Sequence, residues 1–175
     1  DEFEARHGFG YTNIASSYKD VKSNLTYFLS TNEDVENWII ELANDSKEEK
    51  NLSVYTYMDI IPGELSVEVI AAGWFADSMK YTKFDDNTMV CSKKYVEIPG
   101  GKGHRHWPYS IFLTSSRTVD EYEFSKEKFI GMYKSVYDPA GVAADKLSCE
   151  DTVGEPISGV FKWNIVLKPG EKAKH

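Results

Sequence analysis

The chain has 175 residues, with 20 Lys plus Arg against 28 Asp plus Glu and a formal charge of -8. That excess of negative charge opposes general binding to nucleic acid or to anionic membranes, which use clustered Lys and Arg to displace counterions. No apolar run approaches the roughly 18 residues of a membrane-spanning helix, and a chain of this length buries about 70% of its unfolded surface, so membrane insertion and an obligatory structural metal both drop out. One domain over residues 1–175 is the expected organisation.

In chain order, a short first strand or two precedes residues 31–44. There Val35, Trp38, Ile39, Leu42 and Ala43 fall at helical spacing behind a possible Thr31 cap, which predicts an amphipathic helix. From Leu52 the period changes to two, and Pro62-Gly63 punctuates a hairpin whose returning strand is LSVEVIAAGWF. A second hairpin is expected about Asp85-Asp86-Asn87, followed by the Pro99-Gly-Gly-Lys-Gly103 loop and a half-buried strand carrying Trp107, Tyr109, Ile111 and Leu113. Residues 125–137 return to helical spacing through Phe129, Ile130, Tyr133, Val136 and Tyr137, with Ser125 as cap and Asp138-Pro139 as stop. The last strand alternates Phe161, Trp163, Ile165 and Leu167 with Val160, Lys162, Asn164 and Val166, and a frayed lysine-rich tail follows. Sequential strands joined by short turns pair antiparallel, so the fold class is mainly β. With 11 Tyr, 9 Phe and 4 Trp the sheet can close on itself or fold over a helix, and the expected architecture is an antiparallel up-and-down barrel with a helix near 31–44 and another near 125–137.

The chain starts at Asp1 rather than Met, which fits a processed or a trimmed polypeptide. Acceptor triplets begin at Asn24, Asn44 and Asn51, and three within 30 residues point towards secretion and glycosylation. Cys91 and Cys149 suit one disulfide or two buried thiols; the disulfide is the expectation in an extracellular chain. His104 and His106, at i and i+2 on a strand, present two imidazoles to one side, but no third ligand follows, so no metal and no cofactor is assigned. No Gly-x-Ser-x-Gly elbow accompanies the serines, and the glycine loop lacks phosphate-loop spacing, so no catalytic residue is assigned. The aromatic residues Trp38, Tyr55, Tyr57, Trp74, Phe75, Trp107, Tyr109 and Trp163 combine apolar area with polar tips, and they are the candidate walls of a ligand pocket.

The stretch from Tyr109 to Cys149 resembles the closing part of lipocalins: Arg117 stands at the family's arginine, residues 125–137 at its helix, Tyr137-Asp138-Pro139 at the exit, and Cys149 at its cysteine. Gly8-Phe-Gly10-Tyr11 carries Tyr where that family has Trp. The resemblance implies an eight-stranded cup with Arg117 closing one end and a small hydrophobic or amphiphilic ligand in the mouth. The expected function is therefore a secreted carrier or scavenger rather than an enzyme. The alternatives are a β-rich protein-interaction module with a solid core, and a barrel enzyme acting on a hydrophobic substrate.

Overall fold

The computed structural model describes residues 2–63, 77, 79–97 and 104–174. Its backbone divides into two compact units, one of residues 1–52 and 164–175 and one of residues 53–163.

The first unit is built on a five-stranded antiparallel sheet in the order β1-β2-β3-β4-β14. Its strands are β1 (Glu2–Gly8), β2 (Tyr11–Tyr18), β3 (Val21–Leu29), β4 (Glu36–Asn44) and β14 (Lys172–Lys174). Lys19 and Asp20 both take positive φ, at 47° and 63°, so the turn between β2 and β3 twists with the strands it joins. The expected helix at 31–44 is thus corrected to a strand. Trp38, Ile40 and Leu42 alternate as well as they match a helical stripe, because Ile39 and Ile40 are adjacent and satisfy both periods. Pairing on both sides decides for the strand, with Leu25 opposite Ile40 and Ala173 opposite Leu42.

The expected fraying of the tail is corrected too, since β14 pairs with β4. Asn44, fully buried, holds the turn before β14. Its Nδ2 donates to the carbonyl of Glu48 at 2.7 Å and that of Leu167 at 2.9 Å, and its Oδ1 accepts from Ser46 N at 3.0 Å and Ser46 Oγ at 2.7 Å. A glycan on that nitrogen would displace these bonds. Asn44→Ala strands buried carbonyls without a donor, and the expected loss is about 2 kcal/mol, measured by urea unfolding.

The second unit stacks two antiparallel sheets. One has the order β11-β8-β7, from β7 (Lys80–Asp85), β8 (Thr88–Lys93) and β11 (Ser110–Thr114). The expected hairpin forms here, with Asp86 and Asn87 at φ 44° and 60°. The other sheet runs β12-β13-β5, from β5 (Lys50–Tyr55), β12 (Glu121–Ser125) and β13 (Ile157–Leu167), with β6 (Met58–Ile60) also on β13. A two-stranded ribbon of β9 (Tyr95–Glu97) and β10 (His104–His106) completes the described strands.

Every residue of β13 from Ile157 to Trp163 is buried, because partners cover both faces of this stretch. On one face Phe84 of β7 stacks on Tyr122 of β12 at 4.2 Å, and Phe161 meets Phe84, Phe124 and Trp163 edge-on. On the other, Val160 joins Phe129 and Leu147 in a cluster bordered by Tyr55, Tyr57 and Ile130.

Only a five-residue helix, α1 (Lys126–Ile130), stands where the sequence suggests one long helix over 125–137, and a second, α2 (Ala140–Ala144), follows Pro139. Ser125 does cap α1, accepting from Lys128 N, but Gly131 at φ 87° stops it. Gly141 of α2 lies so close to Phe129 that a Cβ there would meet Cδ2 of the ring at 2.7 Å. No closed barrel forms among the described residues: the strands distribute over four sheets, so the fold is mainly β and antiparallel without being a cup.

Candidate functional site

On the five-stranded sheet, side chains opposite one another in register share a face and meet across the strands. Asn13 lies opposite Thr26, Asn24 opposite Glu41, and Glu41 opposite Lys174. The result is a polar ladder. Asn13 Nδ2 donates to Asn24 Oδ1 at 2.8 Å and to Thr26 Oγ1 at 2.9 Å, Asn24 Nδ2 donates to Glu41 Oε2 at 2.9 Å, and Lys174 Nζ reaches Glu41 Oε1 at 3.1 Å. The Glu41 carboxyl is held below the usual carboxylate range, first by the Asn24 bond and then by Lys174.

A groove of about 980 Å³ lies along this sheet, lined by residues that include Glu4, Ala15, Lys22, Asn24, Glu41 and Lys174. Small residues such as Ala15, Ser17 and Ala43 leave room between the long charged ones. The Asn24 amide oxygen and the Glu41 carboxylate each have more than one lone pair for accepting hydrogen bonds. Phe3, Leu42 and the alanines line the groove as well, so it offers apolar surface interrupted by hydrogen-bonding groups.

The second unit holds a charged cluster on the covered face of β13. Lys162, 2% exposed, places Nζ 3.2 Å from Glu121 Oε1, 3.1 Å from Asp145 Oδ1 and 2.5 Å from the Asp145 carbonyl. Tyr55 donates its hydroxyl to Asp145 Oδ1 at 2.7 Å, and its ring lies 5.9 Å from the ammonium. Burial alone would lower the Lys162 pKa, but the bonds to Asp145 and Glu121 outweigh it and the group is raised.

Bonds from Ser53, Tyr55 and Lys162 depress Asp145 to about 2 from 3.8. A carboxylate whose folded pKa lies below its unfolded one contributes stability above the unfolded value and loses it as pH falls. The expected result is a plateau in unfolding free energy above about pH 5 and a decline from pH 4 towards 2 that Asp145→Asn flattens. Tyr55, raised to about 12 by burial and by the Asp145 bond, gives the opposite limb: its contribution is lost as pH rises from 10 through 12.

The aromatic residues singled out from the sequence occupy several separate settings. Trp38 sits edge-on to Tyr27 at 5.3 Å, with its indole N–H donated to Glu36. Tyr55 and Tyr57 lie against Phe129, and Tyr57 donates its hydroxyl to Asp59 at 2.6 Å. Trp107 and Tyr109 form an edge-on pair at 5.2 Å, and Tyr109 is exposed. Trp163 is buried in the aromatic core, its Nε1 without a partner among the described residues. None of these six lines the groove; Trp74 and Phe75 lie outside the described residues.

Arg117 lies half-buried in the turn after β11, where its N–H donates to Ser115 Oγ at 3.0 Å. His104 and His106 stand at the two ends of β10, opposite Glu97 and Tyr95. Asn24 belongs to the polar ladder, and Asn51 is exposed on β5.

The expected disulfide is corrected: Cys91 is free and buried, and Cys149 is free and exposed. Burial pushes the Cys91 thiol up to about 11. Thiol titration at neutral pH is therefore expected to find Cys149 within minutes and Cys91 only after denaturant, since the thiolate is the reactive form. Lys162, Glu41 and Lys174 went unnoticed in the sequence because each reads as a solvated residue. The sole signal was Lys162 between Phe161 and Trp163 in a strongly apolar strand.

A family model described as "Glycosyl hydrolase 94, supersandwich domain" matches residues 1–175. The chain is 27% identical to a solabiose phosphorylase of Paenibacillus borealis over 177 positions, covering 100% of this chain and 22% of that protein. It is 24% identical to an N,N'-diacetylchitobiose phosphorylase of Vibrio furnissii, covering 98% of this chain and 20% of that one. A 3-O-beta-D-glucopyranosyl-beta-D-glucuronide phosphorylase of Paenibacillus borealis is 22% identical over 99% of this chain and 22% of its own length. The chain thus spans about a fifth of the length of these curated relatives. These matches overturn the lipocalin resemblance and with it the carrier of a hydrophobic ligand; the open sheets agree with the correction. A match that runs the full length of the chain assigns it: the chain belongs to the glycosyl hydrolase 94 supersandwich domain family.

Proposed function

We infer that the chain serves as the β-sandwich domain of a glycoside phosphorylase and takes part in handling its carbohydrate substrate. In phosphorolysis a phosphate oxygen bonds to the anomeric carbon as the glycosidic C–O bond breaks. The departing sugar oxygen takes the proton that phosphate gives up, so a glycosyl phosphate and a free sugar result. The observation that carries the reading is the end-to-end family match, together with relatives that are all named as phosphorylases yet extend far beyond the matched fifth. The polar ladder supports it, because side-chain amides, carboxylates and ammoniums are the groups that hydrogen-bond sugar hydroxyls. In this reading the chain supports substrate binding, and the bond-breaking chemistry belongs to other parts of the polypeptide.

The test replaces the matching segment of the Paenibacillus borealis solabiose phosphorylase by this chain and measures glycosyl phosphate released from solabiose and inorganic phosphate. The expected result is release by the fused protein and none by the 175-residue chain alone. Turnover by the isolated chain would overturn the domain role, as would a fully active phosphorylase from which the segment has been removed.

A further inference from the structure

The segment from Gly131 to Pro139, between α1 and α2, exposes apolar side chains to a degree that its rigidity makes conspicuous. Tyr133 is 100% exposed, Tyr137 95%, Met132 81% and Val136 51%. Large apolar groups clustered in water usually mark a contact surface.

The segment is nevertheless tightly built. Its base closes where Gly131 meets Ala140, a Cβ on the glycine falling 2.7 Å from the Ala140 Cβ. Lys134 N donates to the Gly131 carbonyl at 3.3 Å, Asp138 N to that of Ser135 at 3.1 Å, and Tyr137 N to Ser135 Oγ at 3.3 Å. Lys134 Nζ pairs with Asp138 Oδ2 at 2.9 Å. Tyr133 is held at φ 61°, left-handed for a residue with a side chain. Two turns and an ion pair thus fix four apolar knobs in water.

Resting on the phosphorylase-domain reading, we propose that the loop carrying Met132, Tyr133, Val136 and Tyr137 is the surface by which this domain docks onto the remainder of the phosphorylase polypeptide. Three observations select a protein recess as the occupant. Relatives matched over a fifth of their length supply four fifths of a chain to do the covering. Tyr and Met are enriched at the centres of protein interfaces, where a ring is buried and its hydroxyl reaches a rim acceptor. The tip's own charges neutralise each other through the Lys134–Asp138 pair, so its complement is an apolar recess with acceptors for two phenols.

The experiment is oxidative footprinting of Met132, Tyr133 and Tyr137 in the isolated chain and in the chain fused in place of the matching segment of the solabiose phosphorylase. Labelling is expected to fall at least fivefold on fusion. Tyr133→Ser/Tyr137→Ser should leave the isolated chain's thermal midpoint unchanged while weakening its association with the separately produced remainder roughly tenfold or more. That two-piece measurement also decides the matter where the fused protein does not accumulate. Unchanged labelling on fusion, or wild-type affinity of the double variant, overturns the proposal. So does self-association of the isolated chain that the double variant abolishes, which would make a second copy the occupant, and so does protection of the isolated loop by cellobiose. Protection on fusion without glycosyl phosphate release sinks the phosphorylase reading and leaves the docking surface standing. Release with an unprotected loop does the reverse.

Discussion

Phe161→Ala is expected to lower the unfolding free energy by about 4 kcal/mol, seen as a fall in urea midpoint with an unchanged slope. Phe161 is 1% exposed, and its ring is flanked by Phe84 at 5.8 Å, Trp163 at 6.0 Å and Phe124 at 6.3 Å. Truncation removes the transfer energy of a benzyl group and leaves a void that these rings, fixed in two facing sheets, cannot fill. The backbone at this position is bound as well, Thr56 N donating to the Phe161 carbonyl at 3.0 Å and Phe161 N donating to Thr56 Oγ1 at 3.1 Å. These bonds hold the strand in place around the void, which keeps the cost at the upper end of the range. Against a total stability of about 5–15 kcal/mol, the variant becomes marginal at 37 °C. A loss below about 1.5 kcal/mol would mean that the two sheets close over the cavity.

Lys162→Met is the second large effect, with an expected loss of about 3 kcal/mol. Methionine matches the lysine stem in length, so packing against Tyr55 survives and the measurement reads the ammonium alone. Removing it leaves the Asp145 carbonyl and Glu121 Oε1 without the donor that lies 2.5 Å and 3.2 Å away. Asp145 is 62% exposed, so water re-solvates its carboxylate, and Asp145→Asn alone is expected to cost less than half as much. A double cycle with Tyr55→Phe should show coupling of about 0.5 kcal/mol or more, because both groups bind the same carboxylate.

Much of the second unit is legible in the sequence. The alternation from Phe161 to Leu167 marks β13, and Asp86-Asn87 tolerates the positive φ that the β7–β8 hairpin requires. The strand expected to return after Pro62-Gly63 lies outside the described residues. The first unit is harder to read for a physical reason. β2 and β3 carry Asn13, Ser16, Ser23, Asn24 and Thr26, which look like loop residues until cross-strand partners satisfy them, as in the Ser16–Ser23 hydroxyl contact at 2.7 Å. Residues 36–44 misread as helix because a dense apolar group fits both periods, and only long-range pairing separates them. Over 125–137 the spacing was helical, but Gly131 sat in the middle of the stripe and was the residue to heed. The groove was invisible because its polar side chains come from β1, β2, β3, β4 and β14, far apart along the chain. The lipocalin likeness rested on some forty residues whose motifs occur in many folds, whereas the family match draws on all 175.

Among the described residues the sheet of the first unit ends in β1 on one side and β14 on the other, and an edge strand presents backbone donors and acceptors to its surroundings. Both rims bear charge: Glu4 and Arg6, paired at 2.8 Å, on β1, and Lys172 and Lys174 on β14. A neighbouring molecule that tried to extend the sheet would have to strip water from these groups, which deters cross-β stacking in concentrated solution. Neutralising them would remove that deterrent and ease the addition of a foreign strand at either rim.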